Sequence, residues 1–130
     1  MLKHILLLAL STWVARAELS TSHYRQLQAE APEAIQVTVE QVETKVTLGK
    51  DGTATEVTAT AIVQSVARSA SGLKPAAKIT IRYDVVRPVV PMPGPSPLPV
   101  LTKGPTAAFL KKDPEGNYRP AAYGMSFTRL

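Results

Sequence analysis

Residues that could act as a nucleophile or a general base are few and poorly placed in this chain. It contains two histidines, His4 and His23, and no cysteine. A serine triad would pair His23 with a serine such as Ser96, but the sequence Gly94-Pro95-Ser96-Pro97-Leu98 lacks the glycine that follows the serine in a nucleophile elbow. We therefore predict that His23 is a solvated surface residue and expect neither a catalytic residue nor a metal site.

Carboxylates are the remaining candidates for acid–base chemistry. Glu40 with Glu43, Asp113 with Glu115, and the lone Asp84 occur at spacings that solvated strand edges and turns also produce. No glycine-rich loop follows a strand and opens a helix, so we expect no nucleotide cofactor. The residues favour a non-catalytic protein, with a hydrolase as the least supported alternative.

A better candidate is a binding surface near the C-terminus. The sequence Tyr118-Arg119-Pro120-Ala121-Ala122-Tyr123-Gly124 combines two tyrosines with an arginine, residue types enriched at binding hot spots. We predict a surface formed by Tyr118, Arg119 and Tyr123 together with Pro95 and Pro97 of a nearby proline-rich segment. The alternative interpretation is a turn that seals the core.

Basic and aromatic residues are not arranged for nucleic acid. Arg82 and Tyr83 are adjacent in an extended pattern and therefore point to opposite faces, and Tyr83 is in phase with Ile79 and Ile81. We predict that Tyr83 belongs to the core and expect no nucleic-acid partner.

Residues 1–17 resemble a cleavable secretory signal peptide. Lys3 and His4 precede an apolar block at positions 5–10, and Ala15-Arg16-Ala17 has the small-x-small pattern that signal peptidases accept. The block is shorter than the roughly 20 residues that span a bilayer. We expect cleavage between Ala17 and Glu18, a periplasmic or extracellular location and no membrane span in the mature protein. Cleavage leaves 13 basic and 10 acidic residues, a net charge of +3 instead of +5.

The mature chain begins with a segment, residues 18–34, in which a short helix is predicted over residues 20–31. Ile35, Val37 and Val39 then alternate with polar residues, while Val42 and Val46 continue in the opposite phase, so we predict a bulge near positions 40–41. The sequence Gly49-Lys50-Asp51-Gly52 predicts a hairpin turn.

Further strands are predicted over residues 55–68, 79–85 and 107–110, with a short extended segment at Tyr118 and a last strand around Met125 and Phe127. Residues 88–99 contain six prolines, which exclude helix and interior strand. We interpret this segment as a stiff surface connector rather than a ligand for polyproline-binding domains.

This pattern predicts an all-β fold with one short N-terminal helix. Five or six strands with a long first hairpin and a phase-shifted first strand fit a small Greek-key barrel of the OB type over residues 35–130. The alternative is a β-sandwich, which usually needs seven strands.

Three short motifs support a resemblance. Gly72-Leu73-Lys74-Pro75, Phe109-Leu110-Lys111 and Gly116-Asn117-Tyr118 resemble exported netrin-like domains, the group that includes the tissue inhibitors of metalloproteinases. The resemblance implies an OB barrel over roughly residues 35–128. The animal inhibitors depend on disulfides and on an N-terminal cysteine that meets the protease metal, so that mechanism does not carry over to a chain without cysteine. The helix common between strands three and four of OB barrels is also replaced or displaced by residues 88–99.

We therefore expect an exported, non-catalytic barrel that binds another protein or an envelope component. A protease-inhibitor-like module is the alternative that the resemblance suggests, with residues 88–99 as its candidate contact. The sequence leaves the partner and the oligomeric state open.

Overall fold

The computed structural model describes residues 20–90, 94 and 97–130. The predicted signal peptide lies outside these residues. The described chain forms helix α1 (Thr21–Glu30) and strands β1 (Glu33–Gly49), β2 (Gly52–Ser69), β3 (Lys78–Pro88), β4 (Gly104–Lys112) and β5 (Tyr118–Pro120), followed by a short 3₁₀ helix (Tyr123–Met125).

The five strands close into a barrel in the order β1-β2-β3-β5-β4, with β4 pairing back to β1. Neighbouring strands are antiparallel except for β3 and β5, which are parallel and joined at one position, Ile81 opposite Tyr118. A ring of hydrogen-bonded strands, rather than two stacked sheets, confirms the predicted small all-β barrel. β3 and β5 form the weakest seam of this ring.

Alternating side chains of the strands fill the barrel, as a half-buried strand pattern requires. The buried apolar cluster comprises Ile35, Val37, Val39, Val57, Ala59, Ala61, Val63, Ile79, Ile81, Tyr83, Val85, Leu101, Ala108, Leu110, Tyr118 and Phe127. The predictions that Tyr83 lies in the core and that the third strand alternates are both confirmed.

The predicted bulge is also confirmed, because the β1–β2 register shifts between Val39 and Gln41. Beyond this shift, β1 leaves β4, whose pairing with β1 ends at Val39 opposite Gly104. Residues 41–49 of β1 continue with β2 and β3 as a three-stranded extension of the barrel wall. We call this part of the sheet the arm.

Helix α1 is present where the sequence predicted it. The Ser20 hydroxyl caps its first turn by accepting the His23 N–H at 3.2 Å. On its buried face, the Gln28 side-chain amide donates to the carbonyls of Met125 and Thr128 at 2.8 and 2.6 Å. These two hydrogen bonds hold the helix against the C-terminal segment.

The C-terminal end of α1 is also held by Arg68 of β2. Arg68 donates from Nε to the Ala31 carbonyl and from Nη2 to the Gln28 carbonyl, both at 2.8 Å. A cation placed on the last carbonyls of a helix also complements the helix dipole. Helix α1 is therefore fixed at the end of the barrel where β1 begins and β2 ends.

One predicted element is wrong. The sequence predicted a last strand around Met125 and Phe127, but residues Tyr123–Met125 form a 3₁₀ helix. The buried Ser126 hydroxyl accepts the Ala122 N–H at 2.9 Å and donates to the Tyr123 carbonyl at 2.7 Å. These local hydrogen bonds compete with an extended backbone and close a tight turn instead.

Candidate functional site

The predicted surface residue Tyr118 is buried, with 5% of its surface exposed, and it belongs to the core cluster. Its hydroxyl lies 2.8 Å from the Ser71 hydroxyl. Because Ser71 donates its own proton to Glu33, the Tyr118 hydroxyl is the donor to Ser71. The placement of Tyr118 on a binding surface is therefore corrected: its ring packs inside the barrel and only its neighbours face outward.

The partner of this chain of hydroxyls is Glu33, which is 1% exposed. One carboxyl oxygen of Glu33, Oε1, accepts hydrogen bonds from the hydroxyls of Ser69 and Ser71 and from the Ser71 N–H at 3.4 Å. The Ser69 hydroxyl in turn accepts the Leu73 N–H at 2.8 Å. This network joins the first residue of β1 to the turn after β2 and to β5, and we assign it a structural role.

The Arg119 side chain points outward and is held by Asp113. Its Nε donates to Asp113 Oδ2 at 3.0 Å, while 47% of the Arg119 side chain stays exposed. Asp113 Oδ1 also accepts the N–H groups of Glu115 and Asn117 at 2.9 and 3.0 Å. Burial opposes ionisation of Asp113, but these three donors outweigh it and lower the pKa of its carboxyl. The turn between β4 and β5 therefore orients the guanidinium.

Tyr123 is the most exposed tyrosine of the described chain, with 50% of its surface accessible. Its backbone has φ of +47°, a left-handed conformation that a bulky residue rarely adopts. Ser126 holds this conformation through the two hydrogen bonds described above. The ring is thus presented to solvent from a fixed backbone.

Arg119 and Tyr123 share an open groove of about 480 Å³. One wall is the C-terminal half of α1, and the other is formed by β3, by β4 and β5, and by the segment after β5. We call it the Tyr123 groove and define it by Leu27, Ala31, Leu98, Lys111, Arg119 and Tyr123. Its volume lies within the range of about 300–1,000 Å³ typical of ligand sites.

Charges of both signs line the Tyr123 groove. Lys111 and Arg119 contribute cations, and Glu30 and Asp84 contribute carboxylates, around the apolar side chains of the groove. A mixture of apolar area and paired signs suits a polypeptide segment better than a uniformly charged polymer. The sequence predicts that Leu27 and Ala31 share one face of the helix, but it did not place them in a groove, because a helix-to-barrel contact leaves no local signal.

The proline-rich segment contributes one described residue to this groove, Leu98. Pro97 is exposed, and Pro95 lies outside the described residues. Thus Arg119 and Tyr123 are brought together, whereas no lining contact of Pro97 with the groove is found. The interpretations of residues 88–99 as a connector and as an inhibitory loop both stay predictions.

Other candidate residues are dispersed. His23 is exposed on α1, as predicted. Glu40 pairs with Lys78 at 3.8 Å. Glu43 and Asp84 are exposed on strands β1 and β3, and Ser96 lies outside the described residues. Over residues 20–90, 94 and 97–130, no group of three potential metal ligands occurs.

Within those same ranges no helix is long and apolar enough to cross a membrane. The fold and the groove define a small closed β-barrel with an oriented tyrosine and arginine at its surface. We find no protein-family model, no curated protein and no solved structure that matches this chain. The netrin-like resemblance therefore stays a prediction.

Proposed function

We propose that this chain is an exported, non-catalytic binding module whose Tyr123 groove takes a segment of another protein or of a proteinaceous envelope component. The observation that carries the proposal is the pair Arg119 and Tyr123. Each residue is about half exposed; Asp113 holds the Arg119 side chain, and Ser126 holds the Tyr123 backbone.

Pre-organisation is the physical reason to favour this pair. A binding surface loses side-chain entropy when it orders rotamer-rich groups, at a cost of roughly 0.5–1.5 kcal/mol for each side chain. Anchoring Arg119 and the Tyr123 backbone in the free protein reduces that cost. Tyrosine and arginine also supply large contact areas with polar tips.

The lining of the groove indicates the chemistry of the partner. The partly exposed Leu27 and Leu98 offer contacts to an apolar side chain, and the guanidinium nitrogens of Arg119 that do not face Asp113 can take a carboxylate. The carboxylates of Asp84 and Glu30, which also line the groove, can pair with a basic side chain of the partner. We therefore expect a mixed polar and apolar segment bearing at least one acidic side chain.

The test compares retained partners of the protein and two double variants. The full 130-residue chain is expressed, and the product is purified from periplasm or medium, where its N-terminus should lie at or near Glu18. Immobilised protein should retain specific partners from the same fraction. Tyr123→Ala with Arg119→Ala should weaken retention at least about tenfold, the scale of hot-spot losses.

The matched control is Val89→Ala with Arg87→Ala. Both residues are exposed and neither lines the groove, so retention should not change. Equal retention by all three proteins, or no specific retention by any of them, would contradict the proposal.

A further inference from the structure

Residues 41–49 of β1 have one open edge. They pair with β2 on one side, whereas β4 covers β1 only over residues 33–39. No other described strand pairs with that edge. Unpaired N–H and C=O groups along a strand edge are a template for a further strand.

Apolar side chains accompany this open edge. Val46 and Leu48 are 58% and 80% exposed on the arm. Both lie on the face that continues the barrel interior, because Val46 is opposite Thr55 and Val85 in the register of the three strands. Two large apolar residues beside an unpaired edge indicate a surface that a partner covers.

The order of the side chains specifies which partner fits. In an antiparallel pair made by a two-fold axis through Thr44, Glu43 of each copy is opposite Lys45 of the other, and Val42 is opposite Val46. Gln41 is opposite Thr47. Each face of the new pair therefore matches like with like or charge with countercharge.

Neighbouring symmetric registers lack this match. An axis at Glu43 or at Lys45 would place two like charges directly opposite each other, which destabilises a strand pair. An axis placed between two residues would bring the apolar face of one copy beside the polar face of the other. Axes at Val42 or Val46 would leave Glu43 and Lys45 without a countercharge, so among these registers the axis at Thr44 is the one that pairs them.

We propose that two copies of this chain pair through residues 41–47 of β1, with Thr44 on the two-fold axis. This contact is independent of the Tyr123 groove. It joins two three-stranded arms into one six-stranded sheet and places Val42 of each copy beside Val46 of the other. Leu48 lies just outside the paired residues.

The extent of pairing follows from the fold. On the N-terminal side of residue 41, the start of β4 at Gly104 occupies the edge of β1 up to Val39, so the incoming strand ends there. At the other end, Gly49 and Gly52 flank a two-residue turn and form a hydrogen-bonded pair. The N–H and C=O groups of Gly49 therefore point toward β2. Because these groups point to opposite edges in alternate residues of a strand, those of Val42, Thr44 and Val46 point to the open edge.

An engineered cross-link tests the position of the axis. The native chain has no cysteine, so Thr44→Cys introduces a single thiol. Across a hydrogen-bonded antiparallel pair the two Cα atoms are about 5.5 Å apart, within disulfide reach. Under mild oxidation this variant should form a covalent dimer. The control Thr47→Cys should not, because its two thiols are six residues apart, roughly 20 Å.

Charge reversal tests the register. Glu43→Lys alone creates two like-charge contacts across the axis and should raise the dimer dissociation constant by about tenfold or more. Lys45→Glu creates the same two contacts and also faces Glu56 of its own β2. The double variant should restore the dissociation constant, and mixing the two single variants should give a heterodimer. Analytical ultracentrifugation of the protein purified after full-chain expression measures each case.

A monomer at all accessible concentrations would overturn the proposal and leave the edge to a foreign strand. So would a dimer unaffected by either single reversal, or cross-linking by both cysteine variants or by neither, since each would place the contact elsewhere. A monomer that still binds through the Tyr123 groove would leave the proposed function intact.

Discussion

At the scale of single residues, the most buried carboxyl of the described chain belongs to Glu33. A buried polar group destabilises a protein unless it is hydrogen-bonded, and Glu33 meets this condition through Ser69 and Ser71. Its neighbour Tyr118 extends the network to β5. The network thus connects strands that are far apart in sequence.

Replacing Glu33 with glutamine should lower the free energy of unfolding by about 1–3 kcal/mol. The amide keeps one acceptor oxygen for the Ser69 and Ser71 hydroxyls, but a neutral amide oxygen accepts more weakly than a carboxylate oxygen. Urea unfolding at pH 7 measures the loss. The control Glu115→Gln, in an exposed turn, should stay within about 0.5 kcal/mol of the parent, and equal losses in both variants would contradict the assignment.

The lowered pKa of Asp113 predicts that the stability of the protein depends on pH. Its pKa lies below the ordinary value of 3.8, so its hydrogen bonds stabilise the fold fully above about pH 4 and are lost as pH falls through the folded-state pKa. Asp113→Asn should therefore be less stable than the parent at pH 5, and the gap should narrow toward pH 2. Urea unfolding across this range measures it. A gap for Asp113→Asn that does not change with pH would refute the effect.

At the scale of elements, prediction succeeded where a pattern was local. The Asp-Gly pair predicted the β1–β2 turn, and Gly52 indeed has φ of +146°. The structure adds a second reason for glycine: a Cβ there would overlap the Arg87 carbonyl oxygen and lie 2.7 Å from Pro88 Cα. This close approach of β3 depends on strand pairing and has no sequence signal nearby.

Prediction failed where a side chain overrode a pattern. Met125 and Phe127 alternate as in a strand, but the Ser126 hydroxyl between them closes a 3₁₀ turn. Tyr118 lies in a predicted extended segment, but the alternation of side chains along a strand does not say which face of the strand points into the core. The burial of Tyr118 follows from its position opposite Ile81 across the β3–β5 seam. Of the candidate site, the sequence therefore predicted Arg119 and Tyr123 correctly and Tyr118 incorrectly.

At the scale of the whole molecule, the barrel closes through a seam that contains a single residue pair between β3 and β5. The chain reinforces this seam with the segment that returns from the proline-rich region. The Tyr83 hydroxyl donates to the Pro99 carbonyl at 2.7 Å and accepts the Leu101 N–H at 3.0 Å. Burial raises the pKa of Tyr83, and the Leu101 hydrogen bond offsets part of this rise.

Tyr83 also supports the seam by packing. Its ring lies against Phe127, with centroids 5.7 Å apart, so one side chain joins β3, the returning segment and the C-terminal segment. A phenylalanine at this position would keep the ring contact but remove the hydroxyl. Two backbone groups near the core would then lack their partner.

Tyr83→Phe should consequently lower the free energy of unfolding by about 1–3 kcal/mol, the cost of an unsatisfied buried group. It should also speed proteolysis of the returning segment, residues 97–103, because local opening of this segment becomes easier. The matched control Tyr123→Phe removes a hydroxyl from a half-exposed ring and should change stability by less than about 0.5 kcal/mol. Urea unfolding and timed proteolysis measure both effects. If Tyr83→Phe lost stability without faster cleavage of residues 97–103, the hydroxyl would matter to the core but not to closure, and the barrel would depend on strand pairing alone.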